Sequence, residues 1–281
     1  FFFANIHPSP TRRPPMLLLQ RTLLSSSSLR VRGALAASRA LSSSVENPHR
    51  SGIFEWRQYK LKPDGANQYL AMVEQYGDLR KELFPLTLFS MPETGGMLNV
   101  AAHLYFYESM EDRDEKRKIS QTLPEWKAMI ASSRPHVDDQ KSLIYTQAPQ
   151  SVLEAGDALG GGWMGTELRN PDTVYEIRKY QLGLGYTAVP EFLEVFAEGV
   201  KAKVKCQDPS TQLATVMFTE VGRLNEVIEV WRHGAGVSAM RRSREMAREA
   251  PEWKECIATL AGKAESFENQ IVKPLNLSQW H

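Results

Sequence analysis

Residues 96–127 read GMLNVAAHLYFYESMEDRDEKRKISQTLPEWK, and residues 222–254 read GRLNEVIEVWRHGAGVSAMRRSREMAREAPEWK. Both carry a Gly-x-Leu-Asn turn, an aromatic or β-branched run, a charged segment and Pro-Glu-Trp-Lys. Upstream of each lies a strand-like signature, Glu55-x-Arg57-x-Tyr59-x-Leu61 in the first and Glu176-x-Arg178-x-Tyr180-x-Leu182 in the second. Landmarks that recur in the same order, with small insertions between them, mark a duplicated unit of roughly 100 residues.

Working outward, each copy shows the same succession of periods. Residues 54–61 alternate as a strand does, and Pro63-Asp64-Gly65 is a turn in which Asp64 is placed to cap a helix. The helix has an apolar stripe of Tyr69, Met72, Val73, Tyr76, Leu79 and Leu83, with Glu74, Asp78 and Arg80 on its charged side. Pro85 ends it, and two strands follow. Ser109-x-x-Asp112 opens a charged helix, Thr122-x-x-Glu125 offers a second capping box, and residues 139–147 make the last strand. The second copy repeats this order, with the helix stripe Val189, Phe192, Phe196, Val200 and Val204. Each copy is therefore β-α-β-β-α-β, the ferredoxin-like unit.

The predicted fold is α+β, with two tandem ferredoxin-like domains whose open sheet faces pack together as a pseudo-twofold α+β barrel. The expected divisions are a leader at 1–45, a first domain at 46–147, a Gly-rich linker at 148–171 and a second domain at 172–281. Gly160-Gly161-Gly162-Trp163 lies in that linker. With no Gly-Lys-Ser/Thr ending it is not a phosphate loop, and Trp163 is placed to pin it to one sheet.

Charge is uneven along the chain. The formal net charge is +1, yet residues 1–45 contain no Asp or Glu and six arginines, Arg12, Arg13, Arg21, Arg30, Arg32 and Arg39. The remainder thus carries about −5, which gives no electrostatic footprint for nucleic acid. An Arg- and Ser-rich, acid-free leader points to a mitochondrial transit peptide. Arg39-Ala40-Leu41-Ser42 suggests cleavage near Ser42, and Met16, rather than Phe1, is the expected initiator. No apolar run reaches membrane-spanning length. The two cysteines, Cys206 and Cys256, fit a reducing compartment, and neither they nor the histidines form a metal-ligand pattern.

Alternation sorts the strand residues into two sets. Phe54 and Trp56, Tyr175 and Ile177, and the sets Leu98-Val100-Ala102-Leu104 and Leu224-Ile228-Val230 are expected against the helices. Glu55, Arg57, Tyr59, Asn99, His103, Tyr105 and Tyr107, with Glu176, Arg178, Tyr180, Asn225, Glu229, Trp231 and His233, are then left for the barrel interior. Glu55 is expected to pair with Arg57 or His103, and Glu176 with Arg178 or an arginine of the facing sheet, because buried charges must be paired. Two readings stay open: polar ties between sheets, or a pocket for a small ligand with His103 as general base or haem ligand and Glu55, Arg57 and Tyr59 orienting the substrate.

Together these landmarks resemble the NIPSNAP family over about residues 53 to 273. That resemblance implies tandem dimeric α+β barrel domains and a mitochondrial location. It also implies an adaptor role in vesicle traffic, metabolism or mitochondrial quality control, with protein partners and no catalytic residues or cofactor to carry over. Glu229 stands where the first copy has His103, and His233 where it has Tyr107. Enzymes on related barrels, cofactor-free oxygenases and haem-binding proteins, give the alternative of small-molecule chemistry in a polar barrel interior. Two surface features belong to the adaptor reading: the basic cluster of Lys116, Arg117, Lys118, Arg241, Arg242, Arg244 and Arg248, and Phe192-Leu193-Glu194-Val195. The latter matches an aromatic-x-x-aliphatic motif that binds autophagy modifiers, although Phe192 falls on a core stripe.

Overall fold

The computed structural model describes residues 51–165 and 170–280. The leader, with the cleavage position at Ser42, lies outside them. Strand β1 (Ile53–Leu61) leads through the Pro63 turn into helices α1 (Ala66–Gln75) and α2 (Gly77–Leu83). Asp64 does not cap α1: Gly65 occupies the cap position and no side chain bonds there. Phe84 is extended, as a residue before proline prefers, and β2 (Leu86–Thr94) and β3 (Val100–Tyr107) follow.

The Ser109 cap forms, with the Asp112 amide donating to Ser109 Oγ at 3.2 Å, and opens α3 (Met110–Thr122). The second capping box does not form. Pro124 begins α4 (Pro124–Ser133), its cap is Leu123, and Thr122 turns back to donate to the Ile119 carbonyl. Strand β4 (Val137–Gln147) completes the first copy.

The glycine-rich connection carries structure. Helix α5 (Gln150–Ala155) buries Val152 and Leu153 in the core of the second copy, and the ring of Trp163 packs on the barrel residues. The second copy then runs β5 (Val174–Leu182), α6 (Ala188–Lys205), β6 (Thr211–Val221), β7 (Glu226–His233), α7 (Gly236–Ala247), α8 (Pro251–Lys263) and β8 (Ala264–Pro274).

The eight strands close into one antiparallel barrel in the order β1-β3-β2-β8-β5-β7-β6-β4. Each copy contributes four neighbouring strands, and the seams are β2 with β8 and β4 with β6, so the copies are joined twice in the same way. Closure removes every sheet edge, which is how the two open faces expected from the sequence are satisfied.

Which face points inward is the reverse of the sequence expectation. Phe54, Trp56, Ala102, Leu104, Tyr175, Ile177, Ile228 and Val230 meet in the barrel interior as one buried cluster drawn from both copies. Tyr105 and Tyr107 belong to the helix-side core of the first copy, and Tyr180 and Trp231 to that of the second. An eight-stranded barrel is only wide enough for side chains to fill it, and no helix reaches its axis to supply counter-charges, so the uniformly apolar set goes inside. The body of the interior retains a void of about 10 Å³. At the far end, beside Gln58, Lys60, Lys141 and Lys179, the barrel opens into a polar mouth of about 510 Å³.

Candidate functional site

Moving the ionisable set under the helices puts each carboxylate beside cations that the strands alone do not supply. Glu55 is fully buried. It accepts from Arg57 at 3.2 Å, Arg113 at 3.0 Å, Arg117 at 2.5 Å and Ser142 Oγ at 2.8 Å, with the Tyr107 hydroxyl at 3.4 Å. Burial pushes this carboxyl up, but the bonds and charges of Arg113 and Arg117 outweigh it and hold it down at about 2.

Glu176 repeats the arrangement. It accepts from Arg178 at 2.7 Å, Arg244 at 2.5 Å, Asn269 at 2.6 Å and His233 Nε2 at 3.2 Å. Burial again opposes ionisation and is overcome, chiefly by Arg178 and then by His233 and Arg244, so its carboxyl is driven far below the usual range. Position by position the nests correspond: Arg57 with Arg178, Arg117 with Arg244, Tyr107 with His233, Ser142 with Asn269. The exchange of Tyr107 for His233 therefore preserves the role, since both side chains reach the central carboxylate.

Of the expected pairs, Glu55 with Arg57 and Glu176 with Arg178 form. The expected arginine from the facing sheet is instead Arg244 of α7, and His103 does not reach Glu55. Both ring nitrogens of His103 lack a hydrogen-bond partner among the described residues. The ring stacks on Phe89 at 4.4 Å, nearly parallel, with Tyr59 against its edge at 5.1 Å. Burial, reinforced by Arg80, Arg57 and Arg117, lowers its pKa well below the ordinary value, so it stays neutral. It lines neither of the two cavities described below beneath the helices.

Glu229 sits opposite Arg178 in the β5–β7 register, as His103 sits opposite Arg57 in β1–β3. The Trp231 indole donates to Glu229 at 2.7 Å, and Arg178 lies 3.8 Å away. Tyr180 shares the Glu229 carboxylate, and burial followed by that charge raises its phenol well above the ordinary value.

Two cations were not legible as site residues. Arg80, placed by periodicity on the charged side of its helix, is buried; its guanidinium donates to the Tyr105 hydroxyl at 2.6 Å and lies over the Trp126 ring at 5.1 Å. Lys203 is buried on the equivalent side of α6, its ammonium 3.1 Å from the Trp231 ring centroid and 5.8 Å from that of Trp253. Desolvation, aided by Arg178, lowers its pKa well below that of an ordinary lysine. The available signal was a cation falling in step with an apolar stripe: Arg80 is four residues past Tyr76 and three before Leu83, and Lys203 is three past Val200.

Each nest floors a cavity roofed by helices. That of the first copy holds about 570 Å³, beside Arg57, Tyr59, Arg80, Phe84 and Trp126. That of the second holds about 540 Å³, beside Arg178, Tyr180, Lys203, Arg244 and Trp253. The basic surface cluster is largely spent in these arrangements: Arg117 and Arg244 turn inward, Lys116 pairs with Asp112, Arg241 with Glu245 and Arg242 with Asp208. Phe192 is fully buried, so the autophagy-type motif is not presented. Among the described residues no group of three or more His, Cys, Asp or Glu side chains could hold a metal, and no helix is long and apolar enough to cross a membrane.

A duplicated α+β barrel with a caged carboxylate under each helical layer defines the structural class. The NIPSNAP family profile matches residues 54–152 and 175–279, one match per copy, and the chain belongs to that family. Human protein NipSnap homolog 3A is 28% identical over 229 residues, covering 81% of this chain and 85% of the relative. The NipSnap homolog of Dictyostelium discoideum is 24% identical over 65% of this chain and 72% of its own length. Among solved structures, a candidate monooxygenase from Fusobacterium nucleatum superimposes with a TM-score of 0.56, covering 80% of this chain and 93% of that one. Its 11% identity makes this a likeness of fold alone.

Proposed function

We propose that the chain is a non-catalytic mitochondrial adaptor, working in quality control or vesicle traffic, that holds a helical segment of a partner protein in an apolar groove of its second copy. The groove is the observation that carries this reading. It holds about 980 Å³ between α5, α6 and the strand tips, and Val152, Val189, Leu193 and Phe218 line it. At its lip Leu184 is 95% exposed and Tyr186 entirely so. Clustered apolar side chains of this size in water mark an interaction surface. Glu194 stands along one side, and Glu198 is paired there with Lys201 at 3.0 Å, so the fitting partner is an amphipathic helix held by its apolar face.

The nests support the same reading from the opposite direction. Carboxylates held as permanent anions by two or three arginines do not exchange protons near neutrality, and apolar rings fill the body of the barrel, leaving polar groups at its mouth.

The test places a photocrosslinking residue at Tyr186 of the full chain inside mitochondria. A discrete adduct is expected, lost when Leu184→Asp is added without a change in melting temperature. An adduct pattern equal to that from the exposed control position Asp138 overturns the proposal. Import by the leader predicts a mature N-terminus near Ser42. N-terminal sequencing of the mitochondrial protein checks it, and a start before Arg39 contradicts it.

A further inference from the structure

The two copies are each other's internal control, and they differ in charge. In the second copy the cations Arg178, Arg244 and Lys203 face two buried carboxylates, Glu176 and Glu229. In the first, His103 replaces the second carboxylate. Three arginines, Arg57, Arg113 and Arg117, then share Glu55, with Asp114 a second partner for Arg113 at 2.9 Å.

Arg80 has no carboxylate among the described residues. Its polar partners are the Tyr105 hydroxyl at 2.6 Å and the Met129 sulfur at 3.8 Å, and its Nε has no hydrogen-bond partner among the described residues, although the residue is only 5% exposed. A buried guanidinium without a counter-ion costs several kcal/mol. It is also not sealed away: Arg80 lines the 570 Å³ cavity, with Arg57 and Arg117 beside it and Lys127 and Arg134 at the rim, and no Asp or Glu among the lining residues. Aromatic rings, Tyr59, Phe84, Tyr105 and Trp126, form much of the remaining wall, with Ser120, Gln121 and Ile130.

We propose that this cavity of the first copy is a binding site for a small organic anion, with a carboxylate or phosphate head on the guanidinium of Arg80 and an apolar body against the wall that the touching rings of Phe84 and Trp126 form with Ile130. A guanidinium presents a planar fork that matches either head, and the anion supplies the charge that Glu229 supplies in the second copy. The corresponding second-copy cavity, where Glu176 and Glu265 line the wall and Glu229 faces Arg178, does not take such a ligand.

Isothermal titration of the full chain at physiological salt tests this, with benzoate and octanoate as carboxylate probes and phenyl phosphate and inorganic phosphate as phosphate probes. Saturable one-to-one binding is expected from the head group that fits, and the two arms identify which head that is. Arg80→Met is expected to abolish binding. The variant His103→Glu, which installs the second copy's carboxylate, is expected to weaken binding at least tenfold while the melting temperature holds or rises; a merely structural role for His103 would lower both. The rim double variant Lys127→Ala with Arg134→Ala is expected to weaken binding several-fold, whereas Lys254→Ala, its counterpart in the second copy, leaves it unchanged. No saturable binding of any probe overturns the proposal, and so does binding that survives His103→Glu and the rim double variant undiminished.

Discussion

Replacing Glu176 with Gln is expected to lower the stability of the chain by about 3–5 kcal/mol, and Glu55→Gln by a similar amount. The carboxamide keeps the shape and some hydrogen bonds but removes the charge. Arg178 and Arg244 in one nest, or Arg57, Arg113 and Arg117 in the other, are then left facing one another without their shared anion. Denaturant unfolding of each single variant measures the loss. A loss below about 1 kcal/mol would mean the arginines swing out to solvent at little cost, and that the nests are not structural.

The same carboxylates set the acid limb of the stability profile. A group whose folded pKa is depressed contributes stability that is present above its unfolded pKa and disappears as pH falls through the folded value. For Glu55 the window runs from its ordinary 4.5 down to about 2. The shift corresponds to about 3 kcal/mol for this wholly buried group. Stability of the unaltered chain is therefore expected to fall steeply across that window, and Glu55→Gln to flatten the slope there.

How much of this was legible in the sequence depends on what each signal measures. The duplication gave the element order and the closed barrel, because Gly-x-Leu-Asn, the Glu-x-Arg-x-Tyr strands and Pro-Glu-Trp-Lys each mark a junction that only one chain path satisfies. Alternation partitioned the strand residues correctly, keeping Phe54 with Trp56 and Glu55 with Arg57, but it has no sign. Whether a set faces helices or the opposite sheet is decided by what lies across from it. The deciding clue was nevertheless present: one set was uniformly apolar, and α3 and α7 carried Arg117 and Arg244 at matching places in the repeat. Arg80 and Lys203 were missed for a related reason. A stripe is recognised by its apolar members, so a cation in step with it reads as noise until the aromatic ring it covers, Trp126 or Trp231, is brought beneath it by a distant element.

Trp280→Ala is expected to cost about 3–5 kcal/mol, although the residue lies beyond the last strand, where no periodicity marks it for the core. After β8 the chain turns back over the barrel end. The Trp280 amide donates to the Thr87 carbonyl at 2.9 Å, and Ser278 Oγ both accepts from the Phe89 amide and donates to its carbonyl. The Trp280 ring is wholly buried, stacked on Tyr175 at 6.0 Å and edge-on to Phe54 at 6.3 Å, residues contributed by the two different copies. It thus plugs the interior from the end opposite the polar mouth and couples the halves of the barrel across their axis. Its indole also donates to the Trp163 carbonyl at 3.2 Å, which fixes the glycine-rich connection. Two readouts should therefore move together in Trp280→Ala: the denaturation midpoint, and protease cleavage near residues 160–165, which should accelerate. A stability loss without faster cleavage would mean that the connection is held by α5 and its hydrogen bonds to Leu213 and Ala214, and that the tryptophan secures the barrel alone.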